Sequence, residues 1–287
     1  MAFDCKDAIL KTLAYRTVFD YPLSYYQLCT FLVTDTAFSG SEVAEAIKKL
    51  ISEDKIKRKN HLYYLSGCRP VKWGNRQKNS RHLIRENTKV IGLIGSLPWV
   101  RYVGITGSVA AYSATSNSDL DLFIVTQKNR IWLVRGFVAL ILIITNKYPK
   151  NGSEAGRICP NLYVDEANMV WEKSKRNLYI AHDILLMQPI INKRDYYFKF
   201  MRANDWVFKY FANFPIDLPL IFRNKRVIRG RFLDFIEWLA MKMQLYYMKR
   251  RKTTEVVEKG IIHFNKNDCT NRVLSTYGKI LEGYGIK

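Results

Sequence analysis

A chain of 287 residues, 48% of them hydrophobic, is long enough for two or three small domains around a sizeable core, and it lacks internal repeats and low-complexity tracts. A formal net charge of +21 favours anionic partners: nucleotides, nucleic acid or a membrane surface. Cys5, Cys29, Cys68, Cys159 and Cys269 are scattered, odd in number and form no CxxC pair, which argues against a zinc site or a disulfide framework and for a reducing, cytoplasmic compartment. The opening MAFDCKDAIL lacks the basic start and apolar core of a signal peptide, and the most apolar stretch, 136–145, is too short for a transmembrane segment.

Residues 1–68 read as a unit of their own. Ile9, Leu10, Leu13, Ala14 and Val18 recur at helical spacing; Ser24 can cap a short helix over 25–32; Ser41 can open a third over 42–52. Residues 55–65 then read as two short strands around a Lys59-Asn60 turn. Three helices followed by a hairpin resemble a winged helix-turn-helix. Lys48 and Lys49 on the third helix and Lys55, Lys57, Arg58 and Lys59 on the wing suit nucleic acid, whereas Glu42, Glu45 and Glu53 suit a packing module that keeps the shape without reading a groove.

Residues 69–99 are basic, then helical, with Val90, Ile91, Leu93 and Ile94 as the apolar stripe. Tyr102–Thr106 reads as a buried strand, Gly107-Ser108 as a turn, 109–114 as a short helix, 115–118 as a polar loop and Asp119–Val125 as a second strand. Each part has a physical reason. Gly107 removes a side chain where the backbone turns sharply and must approach a phosphate. Ser108, at the start of a helix, offers a hydroxyl and N–H groups to a triphosphate. Asp119 and Asp121, two apart on a strand, point the same way, while Leu120 and Leu122 point into the core. Adjacent carboxylates repel unless a cation lies between them, and hard oxygen ligands suit Mg²⁺ or Mn²⁺.

Gly107-Ser108, ten intervening residues and Asp119-x-Asp121 on a hydrophobic strand resemble the signature of the DNA polymerase β-like nucleotidyltransferase superfamily, closely over about twenty residues. The resemblance implies an α/β (α+β) fold with a mixed sheet, preceded here by the winged-helix-like unit and followed by a helical C-terminal region. It implies Asp119 and Asp121 as Mg²⁺ ligands, Gly107 and Ser108 as triphosphate contacts, and transfer of a nucleoside monophosphate from a nucleoside triphosphate to an acceptor hydroxyl. Active members add a third carboxylate on a later strand. Here the strand 157–165 offers Cys159 or Asn161 at the inward positions; Asn161 could fill the third position with an oxygen ligand but no charge, and Asp165, the acidic candidate for that position, lies near the strand's end, where a solvated turn is its expected role. The alternative is a regulator that keeps the fold and binds nucleotide or nucleic acid without catalysis.

The expected organisation is therefore a winged-helix-like unit (1–68), a nucleotidyltransferase core (69–170) and a helical C-terminal region (171–287). In the last, 178–188 reads as a helix ended by Pro189. Its adjacent His182 and Asp183 must diverge around the helix, which favours a polar interface or a solvated histidine over a catalytic pair. Residues 195–211 are aromatic and amphipathic, 232–248 form a long apolar helix between the basic clusters 223–231 and 249–252, and 272–281 form a final helix. The basic clusters suit RNA, another phosphate-rich partner or an anionic membrane surface. His263 or Lys266 would reach a triphosphate only if the tail folded back.

Overall fold

The computed structural model describes residues 4–68, 73–149, 155–218, 230–249, 256–258, 260–263 and 269–286. The first unit contains α1 (Cys5–Thr17), β1 (Leu23–Ser24), α2 (Tyr25–Thr30), α3 (Gly40–Ser52), β2 (Ile56–Lys59) and β3 (Leu62–Leu65). The strands form an antiparallel sheet in the order β1-β3-β2. Helix α3 starts two residues earlier than expected because Ser39, not Ser41, forms a capping box with Glu42: each side chain bonds the other's backbone N–H. The hairpin turns at Asn60 and His61, both at positive φ, one residue beyond the expected turn. Lys48, Lys49 and the wing's Lys55, Lys57, Arg58 and Lys59 are exposed, although Lys55 and Lys57 pair with Glu53 and Asp54.

Helix α1 is buried on more than the stripe its apolar spacing defines. Ile9, Leu13 and Ala14 face the core of the N-terminal unit, while Tyr15 joins a second core on the far side. Tyr15 and Arg16 therefore seat the unit against the remainder of the chain.

That remainder is built on a six-stranded mixed sheet, β7-β4-β5-β6-β9-β8. Its strands are β4 (Val100–Ile105), β5 (Leu120–Thr126), β6 (Ile158–Asp165), β7 (Gln188–Asn192), β8 (Val256–Glu258) and β9 (Ile261–His263). Only β5 and β6 run parallel, joined by the crossover helix α6 (Ile131–Ile144). On one face, α4 (Trp73–Ser96), α6 and α9 (Arg231–Lys249) cover Leu120, Leu122 and Ile124 of β5. On the other, α7 (Leu178–Leu186), α8 (Tyr196–Ala203) and α10 (Thr270–Gly283) cover Phe123 and Val125. The single turn α5 (Gly107–Ala110) lies between β4 and β5. It is shorter than the 109–114 helix expected, because Ser113 folds back and donates its N–H to Ser108 O at 2.8 Å.

The C-terminal region differs from the helical expectation. It supplies three of the six strands. Helix α7 stops at Leu186, two residues before the expected end, and Gln188 already belongs to β7; Pro189 stands inside that strand, at the sheet edge, where a missing N–H is tolerated. Strands β8 and β9 pair antiparallel, with Gly260 before β9 at φ 83°, and β9 pairs with β6. None of the five cysteines is in a disulfide. Among the described residues no helix is long and apolar enough to cross a membrane. Most of the basic cluster 223–231, all of it but Arg231, lies outside the described residues, as do Arg250–Lys252, Arg69, Lys72 and Lys266.

Candidate active site

The site grows from the junction of β4 and β5. Thr106 N–H donates to Asp121 O at 3.0 Å, continuing the ladder one residue past β4. The next residue breaks it: Gly107 adopts φ 64°, a conformation that costs a side-chain-bearing residue about 1 kcal/mol or more. A second reason also requires glycine. A Cβ at 107 would lie 2.5 Å from Asp121 Oδ2, inside van der Waals contact, so the carboxylate rests directly on the Gly107 backbone.

The loop that follows is held by hydroxyls. Ser108 Oγ donates to Ser118 Oγ at 3.4 Å, and Ser118 Oγ accepts Thr115 N–H at 2.9 Å. Ser108 is thereby tied to the polar loop that delivers Asp119. Asp119 is the last residue before β5, which begins one residue later than the expected start at Asp119, and both it and Asp121 are partly exposed. Leu120 N–H donates to Arg157 O at 2.8 Å, which fixes the entry into the strand and leaves Asp119 at its mouth.

Asn161 comes to Asp121 across the parallel pair. Asp121 is in register with Cys159, but Phe123 is in register with Leu162, so β6 carries one extra residue between them. At this bulge, which includes Pro160, the Asn161 side-chain amide donates Nδ2–H to Asp121 Oδ1. Of the two positions considered for a third carboxylate, Asn161 is thus beside Asp121 and Asp165 is not. Asp165 is in register with Thr126, five residues further along β5, which is about 17 Å at strand rise. Nor is it solvated. It is buried, with Oδ1 accepting Ala167 N–H at 2.9 Å and Asn168 Nδ2–H at 2.7 Å, and it fastens the turn after β6.

A different carboxylate reaches the turn from the opposite direction. Asp183 on α7 lies near the backbone N–H of Gly107, which favours its charged form. Burial raises its carboxyl from the usual 3.8 to about 6, and the Gly107 N–H acts against that rise. Its neighbour His182 faces elsewhere: the two do diverge around the helix, and His182 Nε2 lies 2.7 Å from Arg16 Nη1 in a buried interface with α1. Desolvation, then the Arg16 charge, holds that imidazole in its neutral form. Nothing local in the sequence marks Asp183. The usable signal is the strand alternation that puts Asp119 and Asp121 on the same sheet face as Phe123 and Val125, the face α7 covers.

The oxygens assembled here suit a hard cation only in part. Among the described residues no group of three or more His, Cys, Asp or Glu side chains is arranged to hold a metal ion. Asn161 turns its amide nitrogen, not its oxygen, toward Asp121. A cation would therefore rest on Asp119 and Asp121, with water and phosphate oxygens completing its shell, an arrangement Mg²⁺ accepts. The chain matches no protein-family model and no curated protein.

Proposed function

We propose that this chain is a Mg²⁺- or Mn²⁺-dependent nucleotidyltransferase with a polymerase β-like core. The observation that carries the reading is the contact of the Asp121 carboxylate on Gly107: one acid and one phosphate-approaching turn share the same few ångströms, beside Asp119 and the Ser108 hydroxyl. Asp119 and Asp121 would hold the cation, which would supply positive charge to offset that of the triphosphate. Gly107 and Ser108 orient the triphosphate, with the bare glycine backbone giving close approach. Asp183 stands behind the turn, near the Gly107 N–H. Asn161 restrains Asp121 without adding charge, so the proton of the acceptor hydroxyl is not taken at that position. The acceptor is a small molecule, a protein side chain or a nucleic-acid end, and the setting is the cytoplasm.

Asn161 in place of an acid, together with the exposed lysines of α3 and the wing, favours the second reading: a binding protein that retains the fold. Incubation with α-labelled nucleoside triphosphates, Mg²⁺ and a panel of acceptors decides. Label transfer by the wild type, reduced on the order of 10²- to 10³-fold in Asp119→Ala and Asp121→Ala, supports the enzyme. Equal inactivity of all three, with wild type shifting DNA or RNA in gels, sinks it in favour of the binding protein.

A further inference from the structure

Helix α9 has a covered side and an uncovered one, and the two are sorted by charge. Its inward side docks on α6. Glu237 accepts the N–H groups of Trp132 and Leu133 at 2.9 Å each, Gln244 donates to Trp132 O at 2.8 Å, and Met248 is buried. Asp234 pairs with Arg130 at 2.6 Å. Both carboxylates of the helix are therefore engaged by α6 or the residue before it.

The other side is apolar and exposed. Phe232, Phe235, Leu239, Met243 and Tyr246 follow at spacings of three and four residues, a single stripe along the helix. Phe232 is 74%, Met243 65% and Tyr246 71% exposed. Arg231, Lys242 and Lys249, all exposed, project along one edge of that stripe, and Lys242 Nζ lies 5.8 Å from the Trp238 ring centroid. The neighbouring α6 exposes Leu140, Ile143 and Ile144 as well. A soluble face of this kind is normally covered.

We infer that the exposed face of α9 seats in the interface of an anionic phospholipid bilayer, which makes the chain a peripheral membrane protein. Charge decides the occupant. Of the exposed charges on the helix, Arg231, Lys242 and Lys249 are positive, and the one exposed acid, Asp234, is paired with Arg130; with a net charge of +21 on the chain, a second copy would meet like charge while an anionic leaflet would meet its complement. The apolar stripe decides against RNA, whose backbone has no use for Leu239 or Met243. Aromatic and aliphatic side chains flanked by Lys and Arg are the composition that lies in the headgroup–acyl boundary. No spanning helix is required.

Flotation of the full chain with vesicles tests this. Wild type should float with phosphatidylcholine vesicles containing one-third phosphatidylglycerol and remain below with phosphatidylcholine alone. Lys242→Gln/Lys249→Gln should weaken the anionic binding on the order of twentyfold, from about fivefold per cation. Phe235→Ser/Leu239→Ser/Met243→Ser should abolish flotation; should that variant not keep the wild-type melting temperature, the charge variant alone is decisive. Failure of the wild type to float with either vesicle, or flotation of the charge variant equal to wild type, overturns the inference. So does a wild-type dimer in light scattering, or an RNA complex, that depends on these residues while vesicle binding does not.

Discussion

The parallel strands β5 and β6 carry acids at both ends of their shared length, and the two ends treat them in opposite ways. At the far end, Asp165 is buried under Ala167 N–H and the Asn168 amide, and Glu166 is gripped by Arg101 at 3.3 Å and by the Tyr196 hydroxyl. Arg101 is itself buried and bonds Gln127 at 2.7 Å. At the near end, Asp119 and Asp121 are partly exposed, and Asp121 lies against the Asn161 amide and the bare backbone of Gly107. Identical chemistry serves two ends: where a carboxylate's lone pairs are filled by fixed protein donors it stabilises the fold, and where they face a turn and solvent it can bind something that arrives.

The sharpest way to break this contrast is at Gly107. Gly107→Ala places a methyl group 2.5 Å from Asp121 Oδ2 at φ 64°, so the carboxylate must move. Nucleotidyl transfer should fall by about a hundredfold, the scale of an ångström-level misplacement, while the melting temperature drops by only a few degrees. Transfer at the wild-type rate would show that the near end is not a site. Asp165→Ala probes the other end. It strands buried donors, at a cost of about 2–3 kcal/mol, and should lower the melting temperature markedly while leaving transfer per folded molecule unchanged; a selective loss of transfer would place Asp165 in the chemistry.

Asp183 gives the smallest and most pH-dependent effect. Its carboxyl is neutral in both folded and unfolded chains below about 3.8. Between there and about 6 the unfolded chain loses the proton first, so ionisation of this group favours unfolding as pH rises, and the penalty is constant above about 6. Asp183→Asn keeps an acceptor for Gly107 N–H and removes that penalty. The variant should match wild type near pH 4 and exceed it above pH 6 by no more than about 3 kcal/mol, read from melting curves across pH. A difference that does not vary with pH would contradict the burial of this carboxyl.

How far the sequence revealed these features depends on how local they are. Gly107, Ser108, Asp119 and Asp121 lie within fifteen residues, and a turn, a loop and a strand suffice to bring them together. Asn161 was reachable from strand alternation, although the bulge that delivers it was not. Asp183 arrives on a helix some seventy residues away, and only the packing of α7 on one sheet face makes it a neighbour. Strand β7 hid behind Pro189, which reads equally as a helix stop and as an edge-strand residue, and the β8–β9 pair is too short for alternation to stand out. The N-terminal helices were legible from their caps and apolar spacing, but the second buried side of α1 was not, because Tyr15 and Arg16 carry polar groups.

Helix α10 packs back on the first unit. Ile286 enters the N-terminal core, and the Tyr284 hydroxyl donates to Ser66 O across a separation of 218 residues. A growing chain emerging from the ribosome can form the helices of that unit early, but it cannot finish their core until Ile286, more than two hundred residues later, has been synthesised. The unit with the fewest residues is therefore among the last to close, and its incomplete apolar surface is what a chaperone would meet during translation.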